Sequence, residues 1–296
     1  MNEGSWIDLG NGPSPAHVLS KTSAHLLVSK SPLHARMRKT GEHEDDTTDD
    51  MDLGSIVHAM VLGAGKKIVV LDHDNYRTKA AKQARDDARA QGAIPILRAK
   101  EEVTAGLARR LKRNIEAHGF ALDGVSEPGV SWFERTTDGT DEEVECLGAL
   151  DHWHPRTATI FDLKIARSGH PDACRKHLFA FGCDIQAAAY TSAVEKVHPE
   201  LQGRTRFVFL FCELFTGAVT PVTLSGDFRR LGEQRWQRAV NTWARCLRED
   251  RWPGYTTGPI TIDAPEWAMA AEMTAQHDAN EQSFQTGNHD EGDDDE

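Results

Sequence analysis

Apolar positions alternate every second residue through the middle of the chain and recur at helical spacing on either side of it. Residues 14–39 carry a helical pattern that stops at Ser31-Pro32, where the proline ring disfavours a helical residue before it. A polar, acidic linker over 41–52 precedes a short, almost wholly apolar helix over 53–62. Ile68-Val-Val-Leu71 reads as a strand, and 79–90 and 100–118 read as charged helices separated at Ile94-Pro95. Three strands at hairpin spacing are expected over 130–135, 143–153 and 159–165, with Thr137-Asp138-Gly139 turning between the first two. A helix over 173–197, strands over 204–214 and 217–224, and an amphipathic helix over 227–249 follow. This order predicts an α+β fold: a central mixed sheet led by antiparallel strands, flanked by helices, with an N-terminal helical segment. No internal repeat is present. No strand leads into a glycine-rich phosphate loop, so neither a P-loop nor a Rossmann nucleotide site is expected.

Within the central strands, charge stands where a core belongs. In the strand over 159–165, Ile160, Asp162 and Lys164 alternate with Phe161, Leu163 and Ile165, which puts the carboxylate and the amine on one face. If Arg156-Thr157 centres a tight turn, Asp151 stands directly opposite Asp162. Cβ atoms so opposed lie about 5 Å apart, and two like charges there repel unless something positive intervenes. A hard divalent cation such as Mg²⁺, held by carboxylates and completed by water and substrate phosphate, suits that position, and Lys164 would reach the same phosphate. Pro-Arg-Thr-Ala is not the Asn-Gly type that fixes a two-residue hairpin, so a longer loop could shift the register. The competing reading is a surface ion pair between Asp162 and Lys164 at a sheet edge.

Composition narrows the class. A chain of 296 residues with 39% hydrophobic and 27% charged residues can bury a sizeable core. No apolar run approaches the roughly eighteen residues of a membrane span, and the start lacks the pattern of a signal peptide, so no membrane association and a cytoplasmic location are expected. Cys146, Cys174, Cys183, Cys212 and Cys246 are widely spaced with no Cys-x-x-Cys pair, which reads as five small buried hydrophobes. The formal net charge of −12 argues against a nucleic-acid partner until its distribution is considered. Residues 1–52 hold 9 acidic and 5 basic side chains and residues 281–296 hold 7 acidic and none basic, which leaves 30 acidic and 29 basic groups between them. The acidic runs 42–52 and 290–296 read as disordered, solvating segments. Basic residues over 109–113, at Arg229-Arg230 and over 235–248 can therefore line a groove, although a solvated helix face explains them equally.

Four further residues could complete a site. His58 lies in the apolar helix over 53–62, either as a metal ligand or phosphate contact or as a core histidine bonded to backbone. Glu127 precedes a strand able to pair with the one carrying Asp151, which would bring in a third carboxylate; as an exposed loop residue it would be inert. Gln186 and Tyr190 share one helix face, four residues apart, with alanines between them. They suit phosphate oxygens or bases, whereas packing through Ala187, Ala188 and Ala189 would leave Gln186 solvated. No Gly-x-Ser-x-Gly elbow signals a nucleophilic hydrolase.

Leu53-Gly-Ser-Ile-Val-His58, Glu127-Pro-Gly-Val-Ser-Trp132, Gly148-Ala-Leu-Asp151, Phe161-Asp162-Leu-Lys164 and Gln186-Ala-Ala-Ala-Tyr190 occur in an order and spacing that resemble the PD-(D/E)xK nuclease superfamily, and within it the RecE-type exonuclease domain (exodeoxyribonuclease VIII) of phages and prophages. The segments 19–34 and 243–255 resemble that family's opening and closing helices. The resemblance covers residues 18–255, between a flexible N-terminus over 1–17 and a polar, acidic, disordered tail over 256–296. It implies a restriction-endonuclease-like core. It also implies that Asp151, Asp162, His58 and Glu127 bind Mg²⁺, with Mn²⁺ as a substitute, that Asp151, Asp162 and Lys164 are catalytic, and that Gln186 and Tyr190 hold DNA. The activity implied is a 5′-to-3′ exonuclease on double-stranded DNA ends that leaves 3′ single strands for a single-strand annealing recombinase of RecT type, acting as a homo-oligomer. An endonuclease or helicase-associated nuclease of the same superfamily, a relative that binds DNA without cutting it, and a hydrolase of small phosphodiesters are the alternatives. No proline precedes Asp151, and Asp162 stands where many relatives carry Glu.

Overall fold

The computed structural model of the chain describes residues 4–9, 14–42 and 49–287. Its elements in chain order are β1 (Gly4–Ile7), α1 (Lys21–Ser29), α2 (Pro32–Thr40), α3 (Asp49–Leu62), β2 (Ile68–Leu71), α4 (Lys79–Ala90), β3 (Ile94–Leu97), α5 (Arg98–Ala117), β4 (Val125–Ser126), β5 (Gly129–Arg135), β6 (Glu143–Ala149), β7 (His152–His154), β8 (Thr159–Ala166), α6 (Pro171–Ala180), α7 (Cys183–Val197), β9 (Arg206–Glu213), β10 (Val219–Val222), α8 (Gly226–Glu249) and α9 (Glu266–Gly287). Contacts divide the chain into one unit over 1–255 and a second over 256–296.

The first unit is the expected α+β core. A five-stranded sheet runs β10-β9-β8-β7-β4, with β8 and β9 parallel and its other pairs antiparallel, and a three-stranded antiparallel sheet runs β1-β5-β6. The central β8 and β9 are covered on both faces, which is why Phe207-Val-Phe-Leu-Phe211 is continuously apolar. Phe161, Leu163, Val208 and Leu210 pack under Val57 and Val61 of α3 and Leu107 and Leu111 of α5. On the opposite face Phe209 and Phe211 meet α6 and α7. Ile160 joins the largest core, where α7 and Trp236, Val240 and Trp243 of α8 close on β5 and β6. All five cysteines are buried thiols.

Several sequence expectations are corrected here. The N-terminus contains β1, paired antiparallel with β5 and anchored by Trp6, whose indole N–H donates to His198 Nε2 at 3.2 Å. The acidic linker is shorter than expected: α3 begins at Asp49, and Asp52 is buried against Arg89 at 2.6 Å. The rest of that acidic run, 43–48, and the terminal run within 288–296 lie outside the described residues. Ile94-Pro95 is a strand, β3, pairing in parallel with β2 in a separate two-stranded sheet, an edge position that tolerates proline. The strand expected over 143–153 is two, β6 and β7, and the helix expected over 173–197 is two, α6 and α7, hinged at Phe181 and Gly182. In the second unit, α9 replaces part of the expected disordered tail; its first turns are built from Glu, Ala and Met, strong helix formers. No helix among the described residues is long and apolar enough to cross a membrane.

Candidate active site

One long β-ribbon places the carboxylates. Strands β4 and β5 face β7 and β6 in a single unbroken register, Ser126 opposite His152 and Gly129 opposite Ala149, yet the two halves belong to different sheets. At the crossing point the Glu127 N–H donates to the Asp151 carbonyl at 3.0 Å and the Leu150 N–H to the Pro128 carbonyl at 3.1 Å. Glu127 itself takes a left-handed backbone, φ +52°, a conformation that costs a non-glycine residue roughly 1–2 kcal/mol. On its other side β7 pairs with β8, His152 opposite Phe161, so the next step of that register sets Asp151 against Asp162. The turn is a single 3-10 turn, Pro155–Thr157, closed by Ala158 in left-handed conformation, and it keeps the register that a tight turn at Arg156-Thr157 predicts. Asp151 thus stands where two ladders part, and its Oδ2 accepts from the Leu163 N–H at 2.8 Å.

Three side chains converge at this fork. His58 Nε2 lies 3.0 Å from Asp151 Oδ2 and its Nδ1 lies 3.6 Å from Glu127 Oε1. One ligand atom from each of His58, Glu127 and Asp151 falls within 4.8 Å of the other two. His58 reaches them because Val57 and Val61 fasten α3 to the core and leave the adjacent flank over the end of β7. Its partners are carboxylates and not backbone, and Glu127 is half-buried and engaged.

Asp162 and Lys164 project together toward α7. Lys164 Nζ lies 2.6 Å from Asp162 Oδ2 and donates to Gln186 Oε1 at 3.1 Å, while the Gln186 amide donates to Asp162 Oδ1. The ion pair is therefore not at a sheet edge: Asp162 is 2% exposed, on a strand flanked on both sides. Gln186 is buried rather than solvated, and its polar end faces Asp162 and Lys164. Tyr190, one turn further, is buried with its ring edge-on to Trp132 at 6.5 Å and packed against Gly148, where a Cβ would come within 2.5 Å of the ring. Lys21 enters from α1, 3.5 Å from Gln186 Oε1. A lone lysine early in a helix carries no pattern that the sequence could have flagged.

The electrostatics are those of crowded charge. Burial alone would neutralise His58, but the hydrogen bond and charge of Asp151, with Glu127 behind, raise its pKa above the ordinary histidine value. Burial and the charge of Asp151 raise Glu127. Burial, with Asp151 nearby, raises Asp162 in spite of Lys164. Burial would raise Asp151 too, yet the His58 hydrogen bond, Lys164 and the Leu163 N–H hold it low. Lys164, although buried, is kept well above the usual lysine value by Asp162 and stays protonated. Burial lowers Lys21, helped by Lys164, and raises the Tyr190 phenol, helped by Asp151 and Asp162. Carboxylate oxygens with one imidazole, short of positive charge on the Glu127 side, fit a hard divalent cation.

Comparison with known proteins places the chain in a family. The family described as a PDDEXK-like domain of unknown function (DUF3799) matches residues 22–260. No curated protein matches. Among solved structures, a proposed exonuclease from Eubacterium rectale superimposes with a TM-score of 0.55 at 12% identity, over 88% of this chain and 95% of that one. A phage-related exonuclease from Haemophilus somnus 129PT aligns with a TM-score of 0.30 at 13% identity, over 79% of this chain and 96% of that one.

Proposed function

The chain belongs to the PDDEXK-like family (DUF3799) of the PD-(D/E)xK nuclease superfamily, and from that premise we propose that it is a Mg²⁺-dependent exonuclease hydrolysing the phosphodiester bonds of linear double-stranded DNA. The observation that carries the proposal is the opposition of Asp151 and Asp162 on adjacent strands, with Lys164 paired to Asp162 at 2.6 Å and His58 and Glu127 gathered on Asp151. Asp151, Glu127 and His58, with Asp162 beside them, would hold Mg²⁺ or Mn²⁺. When bound, the cation supplies a Lewis acid that polarises the phosphate and lowers the pKa of water.

The protein's own groups do the rest. Lys164 carries a fixed positive charge toward the scissile phosphate, and its raised pKa makes it a donor and charge stabiliser instead of a base. Gln186 bridges Asp162 and Lys164 and so sets both rotamers before substrate arrives. Tyr190, a neutral phenol beneath the carboxylates, offers a donor without adding charge, and any DNA contact made by Gln186 and Tyr190 is to a phosphate that has entered the site. The RecE-type resemblance supports 5′-to-3′ polarity, 3′ single-stranded products passed to an annealing recombinase of RecT type, and a homo-oligomeric assembly.

End-labelled linear duplex, incubated with and without Mg²⁺ beside a circular control, tests the activity: mononucleotides from the linear form alone are expected. Asp162→Asn is expected to abolish Mg²⁺-dependent cleavage while leaving DNA binding largely intact, and undiminished cleavage by that variant would refute the site.

A further inference from the structure

Two phenylalanines stand out of the hinge between α6 and α7, Phe179 at 58% and Phe181 at 60% exposure. The hinge is built to hold its shape. Gly182 adopts φ +62° and a Cβ there would come within 2.3 Å of His25 Nδ1, so glycine lets α1 close beneath the turn. The Arg235 guanidinium, anchored at 2.7 Å by the buried Asp184, lies over the Phe179 ring at 5.3 Å. His177 lies against Phe181 with ring centroids 4.5 Å apart and an interplanar angle of 35°. Lys176 is exposed one turn before Phe179 on the same helix.

The hinge is also close to the candidate centre. Gln186, which grips Asp162 and Lys164, lies one helical turn beyond Cys183, the first residue of α7. Lys21, on the same helix as His25, reaches that same Gln186. Aromatic faces interleaved with cations are what single-stranded nucleic acid recognises: bases stack on the rings and phosphates meet the charges. An apolar protein partner would leave Lys176 and the partly exposed His177 to be desolvated without return.

We propose that Phe179 and Phe181 form a stacking platform for the unpaired nucleobases of the DNA strand that feeds the Asp151–Asp162 centre. The proposal rests on the nuclease reading above and names how that site takes up its substrate. The test is binding by the full chain, in EDTA to prevent cleavage, of a short oligothymidylate and of an oligonucleotide with the same number of phosphates but abasic spacers in place of nucleosides. The unmodified protein is expected to prefer the base-bearing strand. The double substitution Phe179→Ala and Phe181→Ala is expected to weaken base-bearing binding roughly tenfold or more, to leave spacer binding unchanged, and to be rescued by Trp at both positions. Equal binding of the two strands by the unmodified protein, or alanine variants that lose neither or lose both equally, overturns the platform while cleavage of duplex DNA still upholds the nuclease. An unmodified protein that binds neither strand and cuts no DNA overturns both. Variants that change subunit assembly in sedimentation without touching oligonucleotide binding assign the patch to a second copy of the chain and overturn the proposal.

Discussion

His152 should make the stability of this protein depend steeply on pH, because its ring is fully buried and both nitrogens are committed. Nε2 lies 3.2 Å from the Gly124 N–H and can only accept there. Ser126 Oγ donates to the Leu62 carbonyl at 3.0 Å, so at 3.1 Å it accepts from Nδ1–H. Protonation would force Nε2 to donate toward an N–H, and burial, aided by the charge of His154, pushes the pKa down to about 4. The unfolded chain takes up this proton near the ordinary value of 6.5, so the stabilisation is complete above about 6.5, is lost as pH falls toward 4, and levels off below that. At about 1.4 kcal/mol per pH unit, this interval amounts to roughly 3 kcal/mol. Urea unfolding across that range, with the variant His152→Gln, measures it: the variant should start less stable at neutral pH and show a slope shallower by up to one proton. Identical slopes in the two proteins, or an NMR titration of the His152 ring with a midpoint near 6.5, would refute the reasoning.

Two other perturbations probe the packing behind the site. Glu134 Oε1 accepts from the indoles of Trp132 at 2.9 Å and Trp236 at 3.1 Å and from Ser192 at 2.7 Å, with Lys196 at 3.2 Å from the other oxygen. Glu134→Leu strands two buried indole N–H groups and should cost about 3 kcal/mol or more in chemical unfolding; a loss under about 1 kcal/mol would show that the network contributes little. Gly148→Ala drives a methyl to within 2.5 Å of the Tyr190 ring, which also packs edge-on to Trp132. A loss of about 1–3 kcal/mol is expected, largely relieved in a Tyr190→Ala background; the same penalty in both backgrounds would place the strain elsewhere.

What could be read from the chain was whatever depends on neighbours in sequence. Alternation through Phe161-Asp-Leu-Lys164 placed the carboxylate and amine on one face of β8, and the short separation of Asp151 and Asp162 made their opposition a matter of one turn, whose register survives because Pro155–Thr157 and Ala158 reverse the chain without adding a slip. Other features had no local signature. The break between β6 and β7 exists because their partners lie in different sheets, and nothing in Leu150-Asp151 announces it. The bend of the long helix at Gly182 answers to His25 on another element, and Asp52 left the linker because Arg89 meets it from α4.

By itself, then, the sequence determined the strand that carries Asp162 and Lys164, the helices around it and the residue types able to hold a cation, since periodicity and turn length are local properties of the backbone. The tertiary structure supplied the distances at which His58 and Glu127, set beside Asp151 beforehand by resemblance and strand order, meet it, and it alone decided that Gln186 joins Asp162 to Lys164 and that Lys21 arrives from the first helix. Each of those encounters brings together segments far apart in the chain, and it is the burial of the apolar faces of α1, α3 and α7 against the sheets that sets which side chains come within bonding distance.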